Sequence, residues 1–241
     1  MPVLSVDNLH HRYGKSPDVL CGITVDFEPA TMTAVMGPSG SGKSTFLNCV
    51  AGLLRPTQGR ILYRNSDLAT LSAAKLDKLR RIAWGFIFQS YNLIDALTAI
   101  QNVKLPALFD GKRMSDESAK QALRRVGLAG LEKRYPDQLS GGQRQRVAIA
   151  RALASQRDIV FADEPTGALD SESRREVMNN LGTLPESGST VILVTHDPTV
   201  AAQASRVLFL YDGAVAADES GLSSRDISER LADLEARSCS K

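Results

Sequence analysis

The sequence predicts an α/β fold in which a parallel sheet is joined by an antiparallel β portion and an inserted helical segment. Continuous apolar runs are typical of parallel strands covered on both faces, and they occur at residues 82–88, 159–162 and 191–194. Apolar runs bounded by turn residues indicate antiparallel strands at residues 3–6, 19–27 and 59–63. Between residues 96 and 155 the apolar spacing is mostly helical, which favours a helical insertion into the α/β core.

These patterns, with a length of 241 residues and 43% hydrophobic residues, predict a single domain with distinct parts. Residues 1–88 and 156–214 form the predicted α/β core with its β subdomain. Residues 89–155 form the predicted helical subdomain, and residues 215–241 form a predicted C-terminal helical tail. In that tail Ser223 and Asp226 are suited to cap a helix.

The capped helix would carry Ile227, Leu231 and Leu234 on one face, which could pack on the core or on a partner.

Composition narrows the class of partner. The net charge of +2 disfavours nucleic acid as a main partner. No apolar run approaches the roughly 18–20 residues that span a bilayer, and the first residues do not resemble a signal peptide. Cys21, Cys49 and Cys239 are odd in number and lack metal-ligand spacing, so we expect ordinary thiols in a reducing cytoplasm.

A glycine-rich loop with phosphate-binding chemistry follows the apolar run at residues 33–36. It consists of Gly37, Pro38, Ser39, Gly40, Ser41, Gly42, Lys43, Ser44 and Thr45, and it fits the pattern G-x-x-x-x-G-K-[ST]. The glycines allow backbone N–H groups to turn inward around an anion, and a helix predicted at residues 44–50 points its N-terminus at the same place. Lys43 is expected to reach the β- and γ-phosphates, and Ser44 to hold Mg²⁺.

A carboxylate pair ends the apolar strand at residues 159–162. Asp163 is placed to hold Mg²⁺ at the edge of the sheet, and Glu164, one residue further, is placed to polarise an attacking water. With the phosphate-binding loop, this pair predicts nucleotide hydrolysis.

A second anion-binding segment precedes a helix predicted at residues 143–153. Leu139-Ser140-Gly141-Gly142-Gln143 places Ser140 at the N-cap, with free N–H groups behind it. One γ-phosphate is not easily covered twice within one fold. We therefore expect Ser140, Gly141, Gly142 and Gln143 to serve a nucleotide held by a second copy of the chain.

Together these segments resemble the nucleotide-binding subunits of ATP-binding cassette (ABC) transporters over nearly the whole chain. Residues 37–45 match the Walker A loop of that family, residues 159–163 its Walker B strand, and residues 139–143 its signature sequence. The resemblance implies a P-loop NTPase (RecA-like) core, with ATP and Mg²⁺ as ligands.

The resemblance also implies roles for residues outside these motifs. Gln89 matches the Q-loop glutamine that touches Mg²⁺, so Ser44, Gln89 and Asp163 form the implied metal set. Glu164 matches the catalytic base, and His196 the switch histidine at the γ-phosphate. The remaining implied contacts are an adenine platform at Tyr13 and the D-loop at Ala168-Leu169-Asp170.

Three further segments are similar to the MacB/LolD-like branch of the family: residues 86–93, 97–103 and 163–170. That similarity implies an export motor, a homodimer of ATPase subunits that closes on ATP and drives integral membrane permease subunits. Its implied location is peripheral, at the cytoplasmic face of the cell membrane, and its implied cargo is a drug, peptide, haem or lipoprotein. The alternative is an FtsE-like ATPase that regulates an extracytoplasmic process without transport.

Overall fold

Two sheets organise the parts of the chain that the computed structural model describes, residues 1–167 and 169–238. The antiparallel sheet contains β1 (Leu4–His11), β2 (Leu20–Phe27), β4 (Gln58–Tyr63) and β5 (Ser66–Asp67), in the order β2-β1-β4-β5. The second sheet contains β3 (Met32–Met36), β6 (Trp84–Ile87), β7 (Ile159–Asp163), β8 (Thr190–Val194), β9 (Arg206–Tyr211) and β10 (Ala214–Ser220). Its order is β10-β9-β3-β8-β7-β6, with parallel pairing except between β9 and β10. The predicted α/β fold class is confirmed.

The described residues also form eight α-helices. They are α1 (Lys43–Val50), α2 (Ala73–Ala83), α3 (Ala99–Phe109), α4 (Asp116–Arg125), α5 (Gly141–Ser155), α6 (Ser171–Glu186), α7 (Pro198–Ala201) and α8 (Ser224–Ser238). The segment from α3 to α5 lies between β6 and β7, as the helical spacing predicts, and these three helices pack on one another. The parallel strands β3, β7 and β8 are buried nearly throughout, which explains their continuous apolar sequence.

The strand predicted at residues 82–88 begins later than expected. Ile82 and Ala83 belong to the last turn of α2, and pairing with β7 starts only at Trp84, opposite Ile159. The apolar run crosses a junction between a helix and a strand, and periodicity alone does not mark such a junction. Helix α2 was not predicted, although Ser72 caps it by accepting a hydrogen bond from the backbone of Lys75.

The predicted tail boundary also needs correction, because residues 214–220 form strand β10 rather than helix. Asp212 and Gly213 both have positive φ, of 47° and 77°, as a two-residue hairpin turn requires. The chain therefore reverses there and pairs with β9 before α8 begins. The predicted cap of α8 is confirmed, since the Ser223 backbone N–H donates to Asp226 at 2.9 Å and Ser223 Oγ accepts from the Asp226 backbone.

Helix α8 packs on its own chain. Ile227 is fully buried and Leu234 is 2% exposed, both within the hydrophobic core, where α8 contacts α7, while Leu231 is only partly buried. Of the two alternatives for this face, the structure shows packing on the core.

Shortening Ile227 to alanine is expected to lower the free energy of unfolding by about 2–5 kcal/mol, because the change leaves a cavity in a packed core. Leu231→Ala is the matched control and should cost clearly less. Urea unfolding followed by circular dichroism measures both. Equal costs for the two variants would mean that α8 is not anchored at Ile227.

Candidate active site

The glycine-rich loop joins β3 to α1 and folds around its own lysine. Lys43 Nζ donates to the carbonyl oxygens of Gly37 at 2.8 Å and Pro38 at 2.7 Å. Burial lowers the pKa of Lys43, and the nearby carboxylates of Glu164 and Asp163 oppose that shift. The loop therefore holds a partly desolvated cation, and an anion would compensate its charge.

Glycine is required by close contacts on both sides of this loop. A Cβ added to Gly37 would lie 2.1 Å from the Leu210 carbonyl oxygen, and one on Gly42 would lie 2.9 Å from the Val19 carbonyl oxygen. Both glycines also have positive φ, of 151° and 96°. The hydroxyl of Ser41 is buried without a hydrogen-bond partner among the described residues, which fits a loop shaped to receive phosphate oxygens.

Asp163 ends β7 opposite Val194 of β8. Burial raises the pKa of Asp163 and so does the adjacent Glu164, while Ser44 and Lys43 oppose these effects. Oδ1 of Asp163 is buried and has no partner in the described part of the chain. An unsatisfied carboxylate oxygen beside a serine hydroxyl fits Mg²⁺, which typically takes one or two carboxylates and completes its shell with phosphates and water.

Glu164 and His196 form a contacting pair beside this position. The Nδ1 atom of His196 lies 2.8 Å from Oε1 of Glu164, and the histidine side chain is 72% exposed. The other carboxylate oxygen, Oε2, is buried without a partner among the described residues, so it is free to accept a proton or orient a water. Glu164 has a φ of 46°, a conformation that non-glycine residues adopt at a cost. Its backbone N–H donates to Val194 O at 2.9 Å, which fixes this turn to β8.

Tyr13 and Gln89 approach the loop from two other segments. The hydroxyl of Tyr13 lies 3.3 Å from Oγ1 of Thr45, and the tyrosine is 50% exposed, which leaves ring surface available for stacking. Gln89 lies in an exposed turn after β6. A Cβ built on Gly167 would lie 3.3 Å from Gln89 Nε2, which places the glutamine beside the turn that follows Glu164.

Helix α5 begins at Gly141, and Ser140 caps it. Ser140 Oγ accepts from the Gln143 backbone at 3.2 Å, while the Gln143 side chain accepts from the Ser140 backbone at 2.9 Å. This reciprocal pair uses the N–H group of Gln143 and leaves those of Gly141 and Gly142, which have no acceptor within the helix, for an anion. A Cβ on Gly142 would lie 3.2 Å from Ser173 Oγ, so the segment lies against the start of α6.

Asp170 is the N-cap of α6. Its carboxylate accepts from the backbones of Glu172 at 3.1 Å and Ser173 at 2.9 Å. Hydrogen bonds from the Ser173 backbone and side chain hold the pKa of Asp170 below its ordinary value. Ala168, which the resemblance places in the same loop, lies outside the described residues, as does Cys239.

Two arginines outside the predicted site residues contact these segments. Arg151 of α5 donates to the carbonyl oxygens of Asn92 at 2.7 Å and Tyr91 at 3.2 Å, and so fixes the loop after Gln89. Arg174 of α6 contacts Asp197, next to His196. No local pattern marks either arginine, because each partner comes from a distant segment.

None of the described helices has the length and apolar character that a membrane span needs.

Comparison with known proteins agrees with this geometry. The family model described as "ABC transporter" matches residues 20–167. The macrolide export ATP-binding/permease protein MacB of Escherichia coli K12 is 47% identical over 219 residues, which cover 89% of this chain and 34% of that protein. The MacB protein of Chromobacterium violaceum is 44% identical over 237 residues, 96% of this chain and 37% of that protein. The chain thus spans about a third of the length of these curated relatives.

Two solved structures are similar over most of their length. A dimeric post-hydrolysis structure of the ATP-binding cassette MJ0796, bound to ADP and Pi, has a TM-score of 0.84 and 39% identity. It matches over 91% of this chain and 99% of that one. The cbiO1 protein of Clostridium perfringens, part of the ABC transporter complex cbiONQ, has a TM-score of 0.81 and 29% identity over 96% of this chain and 92% of its own. The chain therefore belongs to the ABC transporter family and is an ATP-hydrolysing ATP-binding cassette.

Proposed function

We propose that this chain is the motor of an ABC export complex. Two copies close head to tail around two ATP molecules, and this closure drives a permease of the MacB/LolD-like type. The observation that carries the proposal is the geometry of the two anion sites. The glycine-rich loop lies beside Asp163, Glu164 and His196. The start of α5, which carries the N–H groups of Gly141 and Gly142, lies instead beside the start of α6.

In this proposal the loop from Gly37 to Thr45 binds the phosphates of ATP, and the ring of Tyr13 stacks on adenine. Ser44, Gln89 and Asp163 would hold Mg²⁺, which neutralises charge on the phosphates when bound. Glu164 accepts a proton from the attacking water through its unpartnered Oε2. His196, held at Nδ1 by Glu164, keeps its exposed ring turned to the γ-phosphate.

The second copy completes each site. Ser140, Gly141, Gly142 and Gln143 of one protomer cover the γ-phosphate bound to the other, and Asp170 lies at the interface between them. That contact forms only when the bound nucleotide has a γ-phosphate, so ATP favours the closed dimer and ADP does not. The dimeric form of the related MJ0796 cassette supports this arrangement.

Complementation between two inactive variants tests the shared site. Ser140→Phe disables the signature segment, and Glu164→Gln disables the base. In a mixed dimer both changes fall in the same site, so the other site is intact. We expect an equimolar mixture to recover roughly a quarter of the wild-type hydrolysis rate, because half of the dimers are mixed and each has one working site.

The matched control mixes Glu164→Gln with Lys43→Ala. Lys43 and Glu164 lie in the same half of a site. In a mixed dimer one site therefore carries Glu164→Gln and the other carries Lys43→Ala, so neither site hydrolyses ATP. A Ser140→Phe mixture no more active than its two components would contradict the head-to-tail site.

Coupling to a membrane partner is tested separately, by purifying the chain with its permease from native membranes and measuring ATP-driven transport into vesicles. ATP hydrolysis that responds to the membrane partner without transport would support the FtsE-like alternative.

A further inference from the structure

Arg174 lies in the first turn of α6, between the loop that carries Asp170 and the loop that carries His196. Its Nη1 atom donates to Oδ2 of Asp197 at 2.8 Å, and its Nη2 atom makes a longer contact of 3.5 Å with the Leu169 carbonyl oxygen. The Asp197 side chain is 20% exposed, so this ion pair is shielded from solvent on the carboxylate side. One guanidinium therefore spans the two loops.

Asp197 is also held by hydrogen bonds within its own loop, residues 195–199. Its Oδ1 atom accepts from the backbone and hydroxyl of Thr199 at 2.8 and 2.6 Å, and its backbone N–H donates to Thr195 Oγ1 at 3.1 Å. Burial alone would raise the pKa of Asp197, but the Thr199 hydrogen bonds and the charge of Arg174 hold it below its ordinary value. The carboxylate is thus a charged anchor directly adjacent to His196.

The start of α6 is fixed as well, and it contacts the signature segment. The Asp170 carboxylate accepts hydrogen bonds from the backbone N–H and the hydroxyl of Ser173, both at 2.9 Å. The same Ser173 hydroxyl lies beside Gly142 of α5. One turn further, Arg146 of α5 pairs with Glu176 of α6 at 2.6 Å. The signature helix α5 therefore contacts the first turns of α6 at two points.

We propose that Arg174 is a positioning residue for His196: through Asp197 it ties the loop of the switch histidine to the start of α6 and thereby to the signature segment of the same protomer. The inference rests on the proposed function, because His196 acts on the nucleotide bound by its own loop while the signature segment serves the other site. Arg174 then links the two ATP sites through one chain, without touching ATP.

The test compares Arg174→Met, Arg174→Lys, Asp197→Asn and the Met/Asn double variant in the 241-residue chain. Asparagine retains the capping oxygen of Asp197 and removes its charge, so α7 keeps its N-cap. We expect Arg174→Met and Asp197→Asn each to lower kcat by about ten- to 100-fold, as displacement of a catalytic group does, with the Kd for ATP unchanged within twofold. Arg174→Lys should retain part of the rate, and the double variant should be no slower than either single one.

A second readout does not depend on turnover. The chain has three histidines, His10, His11 and His196, and their ring signals can be resolved by NMR. Arg174→Met should shift the signals of His196 and leave those of His10 and His11 in place. Arg175→Met, which alters the exposed neighbouring arginine on the same helix, is the matched control for both readouts.

The link is overturned if Arg174→Met leaves the His196 signals unchanged, if the rate losses of the two single variants multiply in the double variant, or if ATP affinity falls in step with kcat. These outcomes differ from failure of the proposed function, which would appear as full hydrolysis by Glu164→Gln. In that case the NMR comparison still decides whether Arg174 positions the loop.

Discussion

Replacing Glu164 with glutamine is expected to lower the rate of ATP hydrolysis by about 10²- to 10⁴-fold, the usual contribution of a positioned general base. Glutamine has nearly the same shape as glutamate, and its amide oxygen can still contact His196 Nδ1, now 2.8 Å from the carboxylate. What is lost is a group that accepts a proton from water. The deficit should therefore appear in kcat, and phosphate release under saturating ATP measures it.

ATP binding by the same variant should be retained. The loop cation Lys43 is unchanged, and Asp163 loses the neighbouring charge that raises its pKa. Ser44 and Asp163, the proposed metal ligands, are unchanged as well. Since binding is intact and hydrolysis is blocked, ATP should trap the closed dimer, which light scattering detects as a doubling of mass that ADP does not produce.

Glu172→Gln is the control for this experiment, because Glu172 is an exposed carboxylate in the first turn of α6 and has no place in the proposed chemistry. Its hydrolysis rate should equal that of the unaltered chain. If Glu164→Gln hydrolyses ATP at the normal rate, then Glu164 is not the base and another group must activate the water.

The sequence was most informative where the chemistry depends on neighbouring residues. The spacing of Gly37, Gly40 and Gly42 before a lysine specifies an anion-binding loop, since each glycine permits a backbone conformation that side chains disfavour. Likewise, an apolar run that ends in Asp163 and Glu164 predicts both the strand and the edge at which the carboxylates lie.

It was least informative where position depends on distant segments. The contact between Tyr13 and Thr45 requires β1 and α1 to lie close together. The ion pair between Arg174 and Asp197 requires α6 to pack beside the end of β8. The missed strand β10 is a different case. Its Asp212-Gly213 turn is a strong hairpin signal, but the pairing of Ala214–Ser220 with β9 depends on a strand already held in the sheet.

Replacing Lys43 with methionine is expected to weaken ATP binding by about ten- to 150-fold, the equivalent of losing charge-assisted hydrogen bonds worth about 1.5–3 kcal/mol. Methionine keeps most of the side-chain volume and removes the charge, together with the two hydrogen bonds from Nζ to the carbonyl oxygens of Gly37 and Pro38. Hydrolysis at subsaturating ATP should fall by at least the same factor. Isothermal titration calorimetry with ATP and Mg²⁺ measures the affinity directly.

The pH dependence of binding gives Lys43 a specific signature. Burial lowers its pKa below the ordinary value of 10.5 in the free chain, whereas bound phosphates favour the charged form and raise the pKa. ATP binding should then take up protons as pH rises through the pKa of free Lys43, and affinity should fall over that alkaline range. Lys43→Met should abolish this part of the proton uptake, while Lys15→Met, on an exposed residue outside the loop, should preserve it. Equal proton uptake by Lys43→Met and the unaltered chain would mean that Lys43 does not meet the phosphates.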